Sequence, residues 1–458
     1  MDREEIRLII NAQKKFLASG KTSQVKYRIA MLKKLRSLII EHEQEIIKAL
    51  WDDFHKPEFE AIATESRFVL KELNYSIRKL RKWSRPRRVR TPVIHFLSHS
   101  YIKPQPYGQV LLMSPWNFPF QLAFLPLVGA ISAGNCVIMK VSRQVPNTSG
   151  VMERIINQMP MELVAIIDGD YSVSDYLLEQ KFDYIFFTGS PGVGKHIMKK
   201  AAENLTPVSL ELGGKNPCVV TADARLDFAA KRIAWGKFIN CGQTCVSPDY
   251  LIIDRSIKDK FLDLITSDIR MFYGDDPEHS PDFARMISAQ NVSRISELLK
   301  KGRIVTGGVN KPADKYVAPT ILADVSPNDP VMQEEIFGPV LPVIDYDDFE
   351  EVYKIIERNP EPLATYIFSE NKKLVKEFLS RTQSGNAGVN DTVMQIASPY
   401  LPYGGVGSSG VGRYHGRMSF ETFSNMRSVM VKSTLFDIWL RYPPYSKLKT
   451  GIVRFLMR

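Results

Sequence analysis

The fold class predicted by this sequence is α/β, with two doubly wound domains, and three observations carry it. At 458 residues the chain exceeds what one ordinary core supports, so two or three domains are expected. Between about residues 109 and 212, short apolar runs (QVLLMS, CVIMKVS, LVAIID, YIFFTG and PVSLEL) alternate with helical stretches. A second alternation, with PCVV, YLIID, LPVIDY and ATYIF, occupies Gly213 to Val389. Repeated strand and helix units of this kind build open parallel sheets whose ligand sites lie at the carboxyl ends of the strands.

Taken in order, the first eighty or so residues read as helices. Ser19-Gly20 is a stop signal and Thr22 or Ser23 the next cap. Ile29, Leu32, Leu35, Leu38 and Ile39 then recur at helical spacing, and a further helical stretch from about Glu60 to Trp83 ends before Pro86. From Thr91 the texture becomes extended: TPVIHFL, then SYIKPQPYG, then QVLLMS. Phe120 to Met139 is long and apolar enough to suggest a membrane span, but Gln121, Pro126, Ser132 and the Gly134-Asn135 turn interrupt it. A buried helix followed by a buried strand is expected instead. Helices are expected near Thr148 to Gln158, Ser174 to Glu179 and Val193 to Glu203, and SVMVKST near the end reads as a closing strand.

Composition narrows the function classes. Hydrophobic residues at 44% and charged residues at 24% describe a globular chain rather than a disordered one. Four cysteines in this length make no disulfide scaffold and imply a reducing compartment. The start, MDREEIRLII, lacks the apolar core of a signal peptide, so a cytoplasmic location is expected. The formal charge of +11 is concentrated in RKLRKWSRPRRVR, Arg78 to Arg90, and in the tail SKLKTGIVRFLMR. No zinc finger, RNP-type motif or helix-turn-helix pattern accompanies the charge, so no nucleic-acid partner is expected. The seven histidines are scattered, and no metal site is expected.

Two stretches carry chemistry. In NCGQTCVSPDY, Asn240 to Tyr250, Cys245 stands among small and polar residues in a loop marked by Gly242 and Pro248, a setting open to a substrate. Strand YIFFTG runs straight into GSPGVGKH, Gly189 to His196. This follows the phosphate-loop pattern G-x-x-x-x-G-K except that His196 replaces the magnesium-binding hydroxyl, and it does not fit G-x-G-x-x-G. A nucleotide-hydrolysing or nucleotide-binding protein is therefore an alternative. The physics shared by both patterns is glycine-permitted approach of backbone to phosphate at a helix N-terminus.

Five runs together resemble the aldehyde dehydrogenase superfamily: SPWNFPF, FTGSPGVGK, LELGGKNP, GQTC and EEIFGPV. The N-terminal helices and the ending YHGRMSFETFSNMR resemble the shorter class 3, fatty aldehyde branch. The resemblance implies an aldehyde dehydrogenase-like fold, with a Rossmann-like cofactor domain, a catalytic domain and a small β bridging element. It places the cofactor-binding domain at residues 1–84 and 104–210, and the catalytic domain at 211–397. The bridging element would take 85–103 and 398–440, and a basic tail 441–458.

The resemblance also implies roles. Cys245 would attack the aldehyde, Asn117 and the Cys245 backbone N–H would hold the oxyanion, and Glu211 would activate water to hydrolyse the thioester. Glu335 is similar to the ligand of the nicotinamide ribose, with Phe337 packing near the ring, although either carboxylate could activate water. Gly189, Ser190 and Gly194 would serve the pyrophosphate, and Lys140 the adenosine ribose. Where the family commonly reads K-P-S-E, this chain has KVSR, so Arg143 replaces a carboxylate. A guanidinium suits a 2′-phosphate, and the cofactor is expected to be NAD(P), leaning to NADP. Cys241 is expected to be a spectator and His415 a packing residue. An acylating enzyme that passes the thioester to coenzyme A is the alternative within enzymes. The expected substrate is a medium- or long-chain aliphatic, or aromatic, aldehyde. A homodimer is implied, bridged by strands near Thr91 to Lys103 and Ser428 to Ser433. Weak peripheral membrane contact through the basic tail is a further expectation.

Overall fold

The computed structural model describes residues 2–457. Helix Arg3–Ala18 begins at a capping box, in which Asp2 accepts from the N–H groups of Glu4 and Glu5 and the Glu5 carboxylate returns to the Asp2 N–H. Helices Val25–Glu41 and Glu43–Phe54 follow. The next helix is continuous only in outline. Glu58–Ala61 runs into a π turn, Ile62–Ser66, and then into Arg67–Trp83. Leu32, Leu35 and Ile39 are buried together with Val69, Leu70 and Leu73, so the apolar stripes of these helices face one core.

The first sheet has six strands in the order Gly410–Val411, Val208–Leu212, Tyr184–Gly189, Gln109–Met113, Cys136–Lys140 and Val164–Ile167. All pair in parallel except Gly410–Val411, which lies antiparallel on Leu210 and Glu211. Gln109–Met113 is the topological switch, because the chain builds outward from it first on one side and then on the other. The ligand crevice of such a sheet opens beyond the switch strand's carboxyl end. Helix Pro119–Ala133, which starts from that crevice, is buried along its whole length and ends at Gly134 with φ +100°. Strand Cys136–Lys140 follows, as expected for a buried helix and strand rather than a membrane span.

A second sheet runs Arg303–Thr306, Thr320–Ala323, Val340–Tyr346, Tyr250–Asp254, Pro217–Val220, Ala364–Phe368 and Asn386–Val389, parallel apart from its first edge strand. A third, antiparallel sheet joins Arg87–Val89, Ser98–Pro106 and Ser424–Lys432, the last two in register from Ser424 opposite Pro106 to Lys432 opposite Ser98.

Three expectations need correction. Neither Thr22 nor Ser23 caps the second helix: both lie in a 3-10 turn, Lys21–Ser23, and the N-cap is Gln24, whose side chain makes no capping hydrogen bond. TPVIHFL is no strand: Val93–His95 is a 3-10 turn, Val93 is 85% exposed, and the outer strand is Arg87–Val89 within the basic run. Pro92 and the left-handed Leu97 (φ +61°) break the extended run that its residue types suggest. The helix placed at Ser174 starts earlier, at Tyr171, because Asp170 caps the N–H groups of Ser172 and Val173. Among the described residues no helix is long and apolar enough to cross a membrane. The C-terminal residues form an exposed helix, Lys447–Leu456.

Candidate active site

The carboxyl ends of the first sheet face the segments that lead into strands of the second. From the first sheet come Trp116 and Asn117 after the switch strand, Thr188 to Ser190, and Glu211 with Leu212. From the second come Cys245, Glu335, Phe337 and Leu363, each just before a strand. Together they line a cavity of about 250 Å³. The sequence-predicted residues Asn117, Gly189, Ser190, Glu211, Cys245, Glu335 and Phe337 are thus brought to one place.

Cys245 follows an unusual turn. Asn240, Cys241 and Gly242 all have left-handed φ, at 53°, 55° and 71°. Asparagine tolerates this region, whereas for cysteine it costs on the order of 1 kcal/mol or more. At Gly242 a Cβ would lie 2.3 Å from the Gly338 carbonyl oxygen, so only glycine fits. The half-buried Cys245 Sγ lies 3.3 Å from Tyr403 Oη. Burial pushes its thiol up to about 12, helped by Glu335 and Glu211 and opposed by the Tyr403 hydroxyl. Cys241 is fully buried and its thiol is also raised by burial.

The two carboxylates differ in their surroundings. Glu211 is 3% exposed and neither carboxyl oxygen has a hydrogen-bond partner among the described residues. Burial raises it well above the usual range, with only Arg413 opposing. Glu335 is pushed up to about 8 by burial and Asp249, while the Gly214 N–H, Lys215 and Lys237 pull it back. It packs so closely on the backbone that a Cβ at Gly213 would meet Oε2 at 2.0 Å. Its segment is anchored by a buried ion pair, Lys215 Nζ to Asp249 Oδ2 at 2.6 Å. Lys215 also donates to the carbonyls of Val331 and Glu334, and the Ile336 N–H donates to Asp249. Lys237 is fully buried with no partner for its amine among the described residues, and burial lowers it to about 8.

A second cavity of about 250 Å³ shares Leu122, Cys245, Tyr403 and Tyr414 with the first. Phe59, Phe68, Phe118, Trp235, Met394 and Ile396 make its walls apolar. His415 also faces it, stacked on Tyr403 with ring centroids 5.2 Å apart. Burial lowers its imidazole to about 4, so the wall carries no fixed charge near neutral pH. Cys245 therefore stands between two chambers, one that carries Asn117, Glu211 and Glu335 and one with no carboxylate in its walls.

The remaining predicted residues lie further along the first sheet. Arg143 and Asp168, beyond the ends of strands Cys136–Lys140 and Val164–Ile167, approach to 3.6 Å and line a separate cavity of about 240 Å³. Lys140 donates to the Val141 carbonyl at 3.0 Å, and burial lowers its amine. Gly194 lines none of these cavities. It sits in helix Pro191–Glu203 against Leu212, where a Cβ would meet a side-chain carbon at 2.7 Å, so its smallness serves packing.

The run GSPGVGKH makes no wrapped phosphate loop: strand Tyr184–Gly189 passes through Ser190 directly into the helix at Pro191. His196 pairs with Asp175 on the surface. The helix has no side-chain N-cap, so its first N–H groups are open to an anion. That open terminus, Gly189 and the Glu335 carboxylate suit a pyrophosphate and a ribose, and the Arg143 cavity suits an adenosine end. These residues fit a dinucleotide.

Comparison with known proteins agrees. The profile described as the aldehyde dehydrogenase family matches residues 1–429. The 4,4'-diaponeurosporen-aldehyde dehydrogenase of Staphylococcus aureus is 41% identical over 435 residues, covering 94% of this chain and 95% of that protein. The dimeric NADP-preferring aldehyde dehydrogenase of Canis lupus familiaris is 44% identical over 429 residues, 93% and 95% of the two chains. The solved structure of Staphylococcus aureus AldH in a substrate-bound state superposes with a TM-score of 0.97 at 39% identity, over the full length of both chains. The chain belongs to the aldehyde dehydrogenase family, and it is an NAD(P)-dependent oxidoreductase acting on aldehydes.

Tyr403, Lys237 and the Lys215–Asp249 pair escape sequence reasoning. Lys215 and Asp249 lie in the runs LELGGKNP and NCGQTCVSPDY, but nothing local gives either a role.

Proposed function

We propose that this enzyme oxidises medium- or long-chain aliphatic, or aromatic, aldehydes to carboxylates, with Cys245 as nucleophile and Glu211 as general base. The observation that carries the reading is the position of Cys245, between an apolar chamber without carboxylates and a second one that also holds Glu211 and Asn117. The aldehyde enters from the apolar side. Cys245 gives up its thiol proton to solvent, its sulfur bonds to the carbonyl carbon, and the oxygen takes the negative charge, held by Asn117 and the Cys245 N–H. The dinucleotide, when bound, supplies the acceptor for the hydride that leaves this carbon, so the product on sulfur is a thioester. Glu211 then takes a proton from water as its oxygen adds to the thioester carbon. The C–S bond breaks, and carboxylate departs.

Glu211 is favoured over Glu335 because both its oxygens are free to accept from water. Glu335 is engaged by Gly214 N–H and flanked by cations, as suits a group that holds a ribose. A free base beside the thioester also favours water over coenzyme A as acyl acceptor. In a series of n-alkanals, kcat/KM is expected to rise by about tenfold or more from two to eight carbons, since each buried CH2 contributes about 0.8 kcal/mol. A flat series contradicts the role of the apolar chamber.

NADP is the favoured cofactor, because Arg143 lines the cavity suited to the adenosine end and can exchange Asp168 for a 2′-phosphate. The printed name of the canine relative points the same way. Arg143→Glu is expected to lower the ratio of kcat/KM for NADP to that for NAD by about tenfold or more, the scale of one charge-assisted contact. An unchanged ratio sinks the assignment.

We further propose a homodimer built through the antiparallel sheet, whose edge strand Ser424–Lys432 leaves Met430 and Val431 exposed. The C-terminal helix makes weak contact with anionic bilayers. It sets Leu448, Ile452 and Phe455 on one side and Lys447 and Arg454 on the other, with Trp439 and Tyr445 exposed before it. Removing residues 441–458 is expected to leave a dimer mass in sedimentation equilibrium and to abolish pelleting with anionic vesicles. A monomer in either form contradicts the first proposal; undiminished pelleting contradicts the second.

A further inference from the structure

The N-terminal helices reach the reacting centre through buried polar groups that the chemistry above leaves unused. Asn117 carries two side-chain N–H bonds. One donates to the Gln243 carbonyl at 3.1 Å, which fixes the amide plane and leaves the other for the substrate oxygen. Its own backbone carbonyl accepts from Asn240 Nδ2 at 2.9 Å and from Lys56 Nζ at 3.5 Å. Asn240 Nδ2 also reaches the Gln243 carbonyl, at 3.2 Å. Asn240 thus ties the residue that holds the oxyanion to the turn that leads to the nucleophile.

Behind this tie stand two carboxylates of the same helix. Glu60 accepts from the Asn240 N–H at 3.0 Å. Glu65 pairs with Lys56 at 2.6 Å, both fully buried, and accepts from the Gln121 N–H at 2.8 Å. In an α-helix, positions five apart diverge by about 140° around the axis. The i→i+5 turn at Ile62–Ser66 closes that angle, and so lets Glu60 and Glu65 serve one site. The π turn is placed where two anions must reach neighbouring loops.

We propose that Asn240, braced by Glu60 and by the Lys56–Glu65 pair, is a positioning residue that sets the Asn117 amide for the oxyanion. The inference rests on the reading of Asn117 as the oxyanion donor. Asn240 touches no substrate. Its contribution passes through Asn117, and the left-handed backbone at residues 240–242 is the strain that the brace holds in place.

Asn240→Gly tests this, because glycine adopts φ 53° freely and the substitution removes only the amide. The expected result is a fall in kcat of about 10- to 100-fold, the scale of misplacing a catalytic group, with KM for the aldehyde within about threefold of wild type. Asn117→Ala is expected to cost about 100-fold or more in kcat. Added to Asn117→Ala, Asn240→Gly should cost less than about threefold, since the group through which it acts is gone. A second pair avoids dependence on that variant's folding. Glu60→Gln keeps an oxygen for the Asn240 N–H and should hold kcat within about threefold, while Glu60→Leu should lower it about tenfold.

If Asn240→Gly loses the same factor with or without Asn117, or if both Glu60 variants behave alike, the positioning role is overturned. If Asn117→Ala slows the enzyme and Asn240→Gly does not, the positioning role fails and the oxyanion reading stands. A wild-type rate in Asn117→Ala overturns the oxyanion reading itself.

Discussion

Cys245→Ala is expected to lower aldehyde-dependent cofactor reduction by about four orders of magnitude or more, the scale on which removal of a covalent nucleophile acts. The size follows from the site. Cys241, the other thiol in the loop, is fully buried on a left-handed turn, and no second thiol lines both chambers with Cys245 among the described residues. Among the described residues Sγ makes one side-chain hydrogen bond, to the Tyr403 hydroxyl, so alanine leaves a small void and one unpaired hydroxyl. Folding and cofactor affinity, followed by thermal melting and fluorescence titration, should therefore remain near wild type. Retention of a substantial rate would remove Cys245 from the mechanism.

Glu211→Gln should separate the two halves of the reaction. Acylation of Cys245 and hydride transfer need no base for water, so the first turnover should still reduce about one cofactor per site. Hydrolysis should then slow by about 10²- to 10⁴-fold, the usual range for a general base, giving a burst followed by a slow steady state. The pH dependence carries the same signature. Burial raises both the Cys245 thiol and the Glu211 carboxyl, and each must lose its proton to act. The wild-type rate should accordingly keep rising with pH above the ordinary carboxylate range, and the Glu211 part of that rise should vanish in Glu211→Gln. A uniform slowing without a burst would shift the base elsewhere, with Glu335 the first candidate.

The parallel strands were legible because strands covered on both faces read as continuous apolar runs, as in CVIMK and YIFFTG. Gly410–Val411 was not, since a two-residue antiparallel edge within a glycine-rich stretch has neither length nor pattern. Residues 91–97 misled because β-branched and aromatic residues signal a strand only where a partner strand exists. At the site, Cys245, Asn117, Glu211 and Glu335 announce themselves through short motifs with distinctive neighbours. Tyr403 meets Cys245 across 158 residues, and Lys56 meets Asn117 across 61. Such contacts leave no local pattern, and only the folded chain assembles them.

The most direct test is to mix Glu211→Gln with an aldehyde and NADP, quench during the slow phase, and digest with trypsin. The peptide Phe238–Arg255 contains both Cys241 and Cys245, so fragmentation by mass spectrometry locates any adduct. An acyl group on Cys245 is the predicted result. An unmodified peptide, or an acyl group on Cys241, would contradict the account.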